Sequence, residues 1–227
     1  MRELGERGTS DITAIGNSSS GFAMVKLVRE DYYFETPGEE NTDDVIEAVL
    51  KRLELTGITI VVVASTSGKT ALKFARAVGG KAKIFCVSES SYRREWAEKW
   101  PCMDPDLRAE LEKLGAQIID KVPYVLHSSI FEGSKWVSPS PEYIVRETLY
   151  SFGQGLKVAV EVVLTAVACG YIEPYQDVIG VGGSGSGADS AAIMRATYPA
   201  MIFAKDTNKR LEIREVIAIP RNKKWWP

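Results

Sequence analysis

The sequence has a single histidine, His127, and only three cysteines, at positions 86, 102 and 169. One His excludes multi-His metal sites, and any Ser–His or Cys–His nucleophile must use His127. The cysteines form no C-x-x-C pair and no zinc-ligand spacing. An odd, scattered set of thiols suits a reducing cytoplasm better than a disulfide framework. Excess charge of either sign is missing too: 28 Lys and Arg stand against 30 Asp and Glu, a formal net charge of −2. Binding to a nucleic-acid backbone, which needs a basic surface, is therefore not expected. Long hydrophobic runs are also absent. The stretch Val158–Cys169 is about half of a bilayer span and contains Glu161. The N-terminus lacks an apolar h-region, so neither a membrane span nor a signal peptide is expected.

What is present is an ordinary globular mix, 45% hydrophobic and 26% charged. Residues 1–30 are the exception. They are rich in Gly, Ser, Thr and charge, include Asn17-Ser-Ser-Ser-Gly21, and sustain no period. They read as a disordered extension, or as a mis-assigned start with synthesis beginning at Met24. From Asp31 onward, strand and helix patterns alternate. Strands are expected at Tyr32–Phe34, Ile58–Ala64, Lys83–Ser88, Ala116–Ile119, Gln176–Val181, Ala200–Ala204 and Leu211–Ile219. Helices are expected behind Asn41 as N-cap, after Gly68, from Pro105, from Pro141, through Cys169, and from Ala188 to Ala196. The continuous β-branched run Ile58–Ala64 marks a central strand covered on both faces. The pattern predicts one α/β domain over residues 31–222, with a mostly parallel sheet, and a basic Trp-rich tail at 223–227. In such sheets, ligands bind beyond the carboxyl ends of the strands.

Two Gly/Ser-rich turns fall at such ends. The first is Ser65-Thr66-Ser67-Gly68-Lys69-Thr70, between the buried strand and a helix. Gly68 permits a tight turn, the next helical amides point outward, and the hydroxyls with Lys69 can surround a phosphate. The plainer reading is a hydroxyl-rich helix cap. Val63 stands where a Walker A loop has its first Gly, so a nucleotide triphosphatase is not favoured. The second turn, Gly180-Val-Gly-Gly-Ser-Gly185, matches G-x-G-x-x-G and continues through Ser186, Gly187 and Ala188 to Asp189. About twenty residues follow Asp206, too few to complete a dinucleotide-binding half. Gly182, Gly183, Ser184, Gly185, Gly187 and Asp189 still read as a second amide-rich concavity at a helix start, or as a loop whose acid favours a helix N-terminus. Gln154, Lys157 and Glu161 share one face of an apolar helix, as a partly buried ion pair or as pocket groups. His127, between Leu126 and Ser128, lacks a neighbouring acid that marks it as a base.

These motifs together resemble a known family. Ile58–Ala75 is similar to the first strand, phosphate loop and helix of the pyruvate kinase C-terminal domain. Phe34–Thr42, Phe152–Val158 with Glu161, and Val178–Asp189 look closer still to stand-alone prokaryotic proteins of that fold. The likeness runs from about Tyr32 to Pro220. It implies a three-layer α/β/α domain with a mostly parallel mixed sheet whose last strand is antiparallel. It also implies a phosphate held by Ser65–Thr70, no pyruvate kinase activity because the catalytic barrel is missing, and FMN as the leading ligand. In that family the second loop is commonly Gly-Thr-Gly-x-Gly-Ala-Asp, and here Ser184 and Ser186 replace the Thr and the variable residue.

Three functions follow as expectations. The first is binding of a phosphorylated small molecule, FMN foremost, between Ser65–Thr70 and Gly182–Asp189, with Gln154, Lys157 and His127 at the polar end. Any flavin-dependent activity then rests on the cofactor. The second is a regulatory sugar-phosphate sensor that catalyses nothing. The third is a homo-oligomeric structural or interaction subunit using the apolar helix Val158–Cys169 and the tail Lys223–Pro227 with its paired Trp225 and Trp226.

Overall fold

The computed structural model describes residues 26–95, 97, 99–126, 135 and 140–225. Contacts divide the chain into two units, Met1–Glu30 and Asp31–Pro227. His127 lies outside the described residues, as do Trp226 and most of the first unit.

In the second unit, β1 (Tyr32–Phe34) leads through a short 3-10 turn into α1 (Thr42–Thr56). There follow β2 (Ile60–Ala64), α2 (Lys69–Val78), β3 (Lys83–Val87), α3 (Pro105–Lys113) and β4 (Gln117–Ile119). The chain continues with α4 (Pro141–Tyr150), α5 (Gln154–Ala168), β5 (Asp177–Gly182), β6 (Ser190–Arg195) and β7 (Glu212–Pro220). The strands form one mixed sheet in the order β1-β7-β6-β5-β2-β3-β4. Parallel pairing joins β1 to β7, β5 to β2, β2 to β3 and β3 to β4. Antiparallel pairing is confined to the last strands, where β6 runs against both β5 and β7.

Strand side chains alternate between two cores. Val61 and Val63 join α1, α2 and α3 on one face, and Val62 joins α4 and α5 on the other. That alternation, with every middle residue buried, is what a β-branched run in a doubly covered sheet requires. The result is the expected three-layer α/β arrangement. A buried arginine, Arg52 of α1, pairs with Asp31 at 2.8 Å and with Glu215 of β7, pinning the edge of the sheet to the helix layer.

Three local expectations are overturned. Residues 188–196 are not a helix: Ser190–Arg195 form β6, the one strand antiparallel to both its neighbours. Ala191 and Ile193 enter one core while Ala192 and Met194 enter the other. Helical propensity of Ala and Met is a few tenths of a kcal/mol per residue, and hydrogen-bond ladders on both edges, the one to β7 broken by two register shifts, override it. Residues 200–204 are not a strand: Pro199–Met201 form a 3-10 turn, and Phe203 is 74% exposed with no strand to join. Asn41 does precede α1, but its side chain does not cap it and instead donates to the Thr36 carbonyl at 2.9 Å.

The apolar helix α5 is also not an external face. Leu156, Ala159, Val160 and Val162 to Val167 are all buried within the chain. It lies almost backbone to backbone on β5, because a Cβ at Gly182 would stand 2.2 Å from the Gly155 carbonyl oxygen and one at Gly180 2.7 Å from that of Ala159.

Candidate ligand cleft

In a sheet of this kind the helices run back against parallel strands, so their N-termini gather at the carboxyl edge. Here the starts of α1, α2 and α5 meet the ends of β2 and β3 and the β5–β6 connection. They surround one cleft of about 970 Å³. Ser65, Thr66, Ser67, Lys69 and Thr70 line one side, Gly183, Gly185, Ser186 and Gly187 another, and Gln154, Lys157 and Glu161 a third. Three segments far apart in sequence are therefore brought to one place.

The first loop turns at Gly68, whose φ of +89° favours glycine. Gly68 itself is buried behind the cleft, against Met103 and Leu111. The Ser65 hydroxyl accepts from the Ala71 amide at 3.2 Å, and the Ser67 hydroxyl from the Lys69 amide at 3.5 Å. Capping thus occupies two hydroxyls and leaves Thr70 uncommitted. The amides of Thr66, Ser67 and Thr70 meet no acceptor among the described residues. No acid occupies the first turn of α2, where Lys69 is exposed. This terminus has donors, a partial positive charge and an ammonium, and no carboxylate of its own.

The second loop is a hairpin connection between antiparallel strands, so the helix that a dinucleotide fingerprint needs does not follow it. It is rigidly braced. Ala188 donates its amide to the Thr42 hydroxyl at 3.0 Å, and a Cβ at Gly187 would stand 2.5 Å from that oxygen. Asp189 is fully buried and does not line the cleft. One carboxylate oxygen accepts from the Ser184 amide at 3.0 Å, the other from the Ser190 hydroxyl at 2.9 Å. It stands over Gly155, where a Cβ would be 2.1 Å from it, and so faces the first turn of α5. Burial pushes its pKa up, against the opposing effect of those hydrogen bonds. Gly182 and Ser184 likewise brace the loop rather than line the cleft.

On α5, Lys157 is 1% exposed and its Nζ lies 2.5 Å from Glu161 Oε2. The ammonium also sits 5.6 Å from the Tyr150 ring centre. The second Glu161 oxygen accepts from the Leu126 amide at 2.9 Å. The pair is therefore both an i,i+4 ion pair and part of the cleft wall.

Several lining residues escaped the sequence reading. Glu89, just beyond β3, accepts from the Thr66 hydroxyl at 3.2 Å and from the Tyr124 hydroxyl. Burial and the Glu89 carboxylate hold the Tyr124 phenol well above its usual range, so it stays a donor. Glu39, Glu40 and Asp43 form a rim at the start of α1. Val87, Val122, Pro123, Val158 and Val162 with Tyr124 and Tyr150 supply apolar and aromatic surface. The position of Glu89 at the end of a parallel strand was the available signal. Glu39 and Glu40 carried none, because only the closure of the β5–β6 hairpin onto α1 brings them here.

The fold and site together define a three-layer α/β domain with an open cleft at the carboxyl edge of its sheet. No protein-family model matches the chain. Among the described residues no helix is long and apolar enough to cross a membrane, and no three potential ligands converge on a metal position.

Proposed function

We propose that the cleft binds a phosphorylated small molecule, FMN foremost, with its phosphate on the Ser65–Thr70 loop. The observation that carries this reading is the bare N-terminus of α2, opening with Lys69 onto a cleft walled by two other segments. The cleft volume of about 970 Å³ suits a ligand of this size. Its two surfaces match the two halves of FMN: hydroxyls and amides for the phosphate, tyrosines and valines for a flat ring. In this reading Gln154 and Lys157, with His127, serve the polar ring atoms or ribityl hydroxyls. The resemblance to stand-alone pyruvate kinase C-terminal-like proteins supports the same ligand.

When bound, a flavin supplies electron transfer. The residues of this chain bind and orient it, and Val122, Val158 and Val162 exclude water from its ring. Tyr124 and Lys157 are each tied to a carboxylate, so the reading assigns them positioning rather than nucleophilic roles. Free thiols at Cys86, Cys102 and Cys169 support a reducing cytoplasmic setting.

Flavin fluorescence titration tests the proposal. FMN fluorescence should be quenched on addition of the intact chain, with affinity lowered about tenfold by Lys69→Ala, the loss of one charge-assisted contact. Protein that neither co-purifies with a phosphorylated compound nor binds FMN overturns it.

A further inference from the structure

Resting on that reading, we infer that the cleft accepts a ligand with a single phosphate group on a neutral, hydroxyl-bearing body, and rejects bisphosphates and dinucleotides. The inference comes from how the chain has already spent its own charges around the cleft.

Three helix N-termini reach the cleft, and each carries a partial positive charge. Two are neutralised from within. The start of α1 holds Asp43 and Asp44 in its first turn, directly after Glu39 and Glu40. The start of α5 has the buried carboxylate of Asp189 packed over Gly155. α5, like α2, has no acid in its own first turn, but only the start of α2 also lacks a buried carboxylate packed over it.

The lining ammoniums divide the same way. Lys73 is paired with Asp43 at 2.9 Å, and Lys157 with Glu161 at 2.5 Å. Lys69 is the one lining lysine with no carboxylate partner among the described residues. Anionic attraction is therefore concentrated at a single point, the Lys69 end.

Away from that point the lining is acidic. Glu39 and Glu40 on the α1 rim face the cleft without a lysine among its lining residues to offset them, whereas Glu89 is paired with Arg93 at 3.4 Å and sits beside the Thr66 hydroxyl. A second phosphate meets like charge there, which is repulsive at close range. Hydroxyl or ring N–H groups meet acceptors instead, because a carboxylate takes hydrogen bonds from neutral donors. One phosphate and a donor-rich neutral body is the ligand this distribution selects.

The test uses the intact chain and two matched pairs in calorimetric titrations: FMN against FAD, and fructose 6-phosphate against fructose 1,6-bisphosphate. The monophosphate of each pair is expected to bind at least about tenfold more tightly than its partner, the size of one unfavourable charge contact. Glu39→Gln/Glu40→Gln removes the two rim charges while keeping an amide acceptor at each position, and it is expected to narrow both gaps by raising bisphosphate and FAD affinity more than that of the monophosphates. Equal or tighter binding of the bisphosphate or of FAD overturns the inference and leaves the phosphate-loop reading standing. A gap unchanged in the double variant also overturns it, because size rather than charge then sets the preference. Failure of all four compounds to bind overturns the underlying ligand reading itself.

Discussion

Lys157 and Glu161 meet at 2.5 Å on the wall of the cleft, one turn apart on α5, with the lysine almost wholly out of solvent. A buried ion pair of this kind costs more when one partner is removed than when both are. Lys157→Met should therefore lower the unfolding free energy by about 3 kcal/mol, because it leaves Glu161 beside the sheet without its cation. The double variant Lys157→Met/Glu161→Leu should recover a large part of that loss. Urea denaturation of the three proteins checks it, and losses that simply add refute the coupling.

The contact between α5 and β5 depends on the absence of a side chain at Gly182. An added methyl group would stand 2.2 Å from the Gly155 carbonyl oxygen and 2.7 Å from the Ala159 amide nitrogen, both backbone atoms that cannot rotate away. Gly182→Ala should destabilise the chain by about 2–3 kcal/mol, the scale of overpacking in a dense core. It should also displace the neighbouring hairpin and weaken ligand binding. Thermal melting and a ligand titration on the same variant report the two effects.

Asp189 gives stability an unusual pH dependence. Burial raises its pKa in the folded chain, so the folded state holds this proton more tightly than the unfolded state does. Its contribution is fully present below the ordinary aspartate value and is lost as pH rises through the raised native value. Asp189→Asn removes that loss. Relative to the parent chain, the variant should thus gain stability as pH rises above the ordinary aspartate value of about 4. Parallel stability profiles above that value would show that the carboxylate does not titrate this way.

Thiol reactivity should follow burial. Cys86 is fully buried in β3 and its thiol is pushed up to about 12, chiefly by desolvation. Cys102 and Cys169 are partly exposed, with smaller upward shifts from the same cause. Iodoacetamide applied to the native chain should label Cys102 and Cys169 first and Cys86 only on unfolding. Mass spectrometry of the digested protein gives the order directly.

Most of the fold is local in origin and was therefore legible. The run Ile58–Ala64 could be little else than a doubly covered strand. Asp104-Pro105 marked the start of α3, where the Asp104 side chain accepts from the Asp106 amide at 2.9 Å. Gly57 and Gly79 marked helix ends, and both take left-handed conformations there. The phosphate-type loop was equally visible, because a tight glycine turn between strand and helix is written in six consecutive residues.

By itself the sequence determined the alternating elements up to β5, the three-layer class, and the loop Ser65–Thr70 with its single exposed lysine. Only the tertiary structure decided that Ser190–Arg195 is a strand, since its two ladders are made with residues that a local window does not contain. The same holds for the charges of the cleft. Asp189 neutralises α5, and Glu39 and Glu40 reach the rim, only because the hairpin closes onto the start of α1 through Thr42 and Gly187. Backbone geometry acts over a few residues and can be read in sequence, whereas burial and electrostatics act through space and depend on the assembled fold.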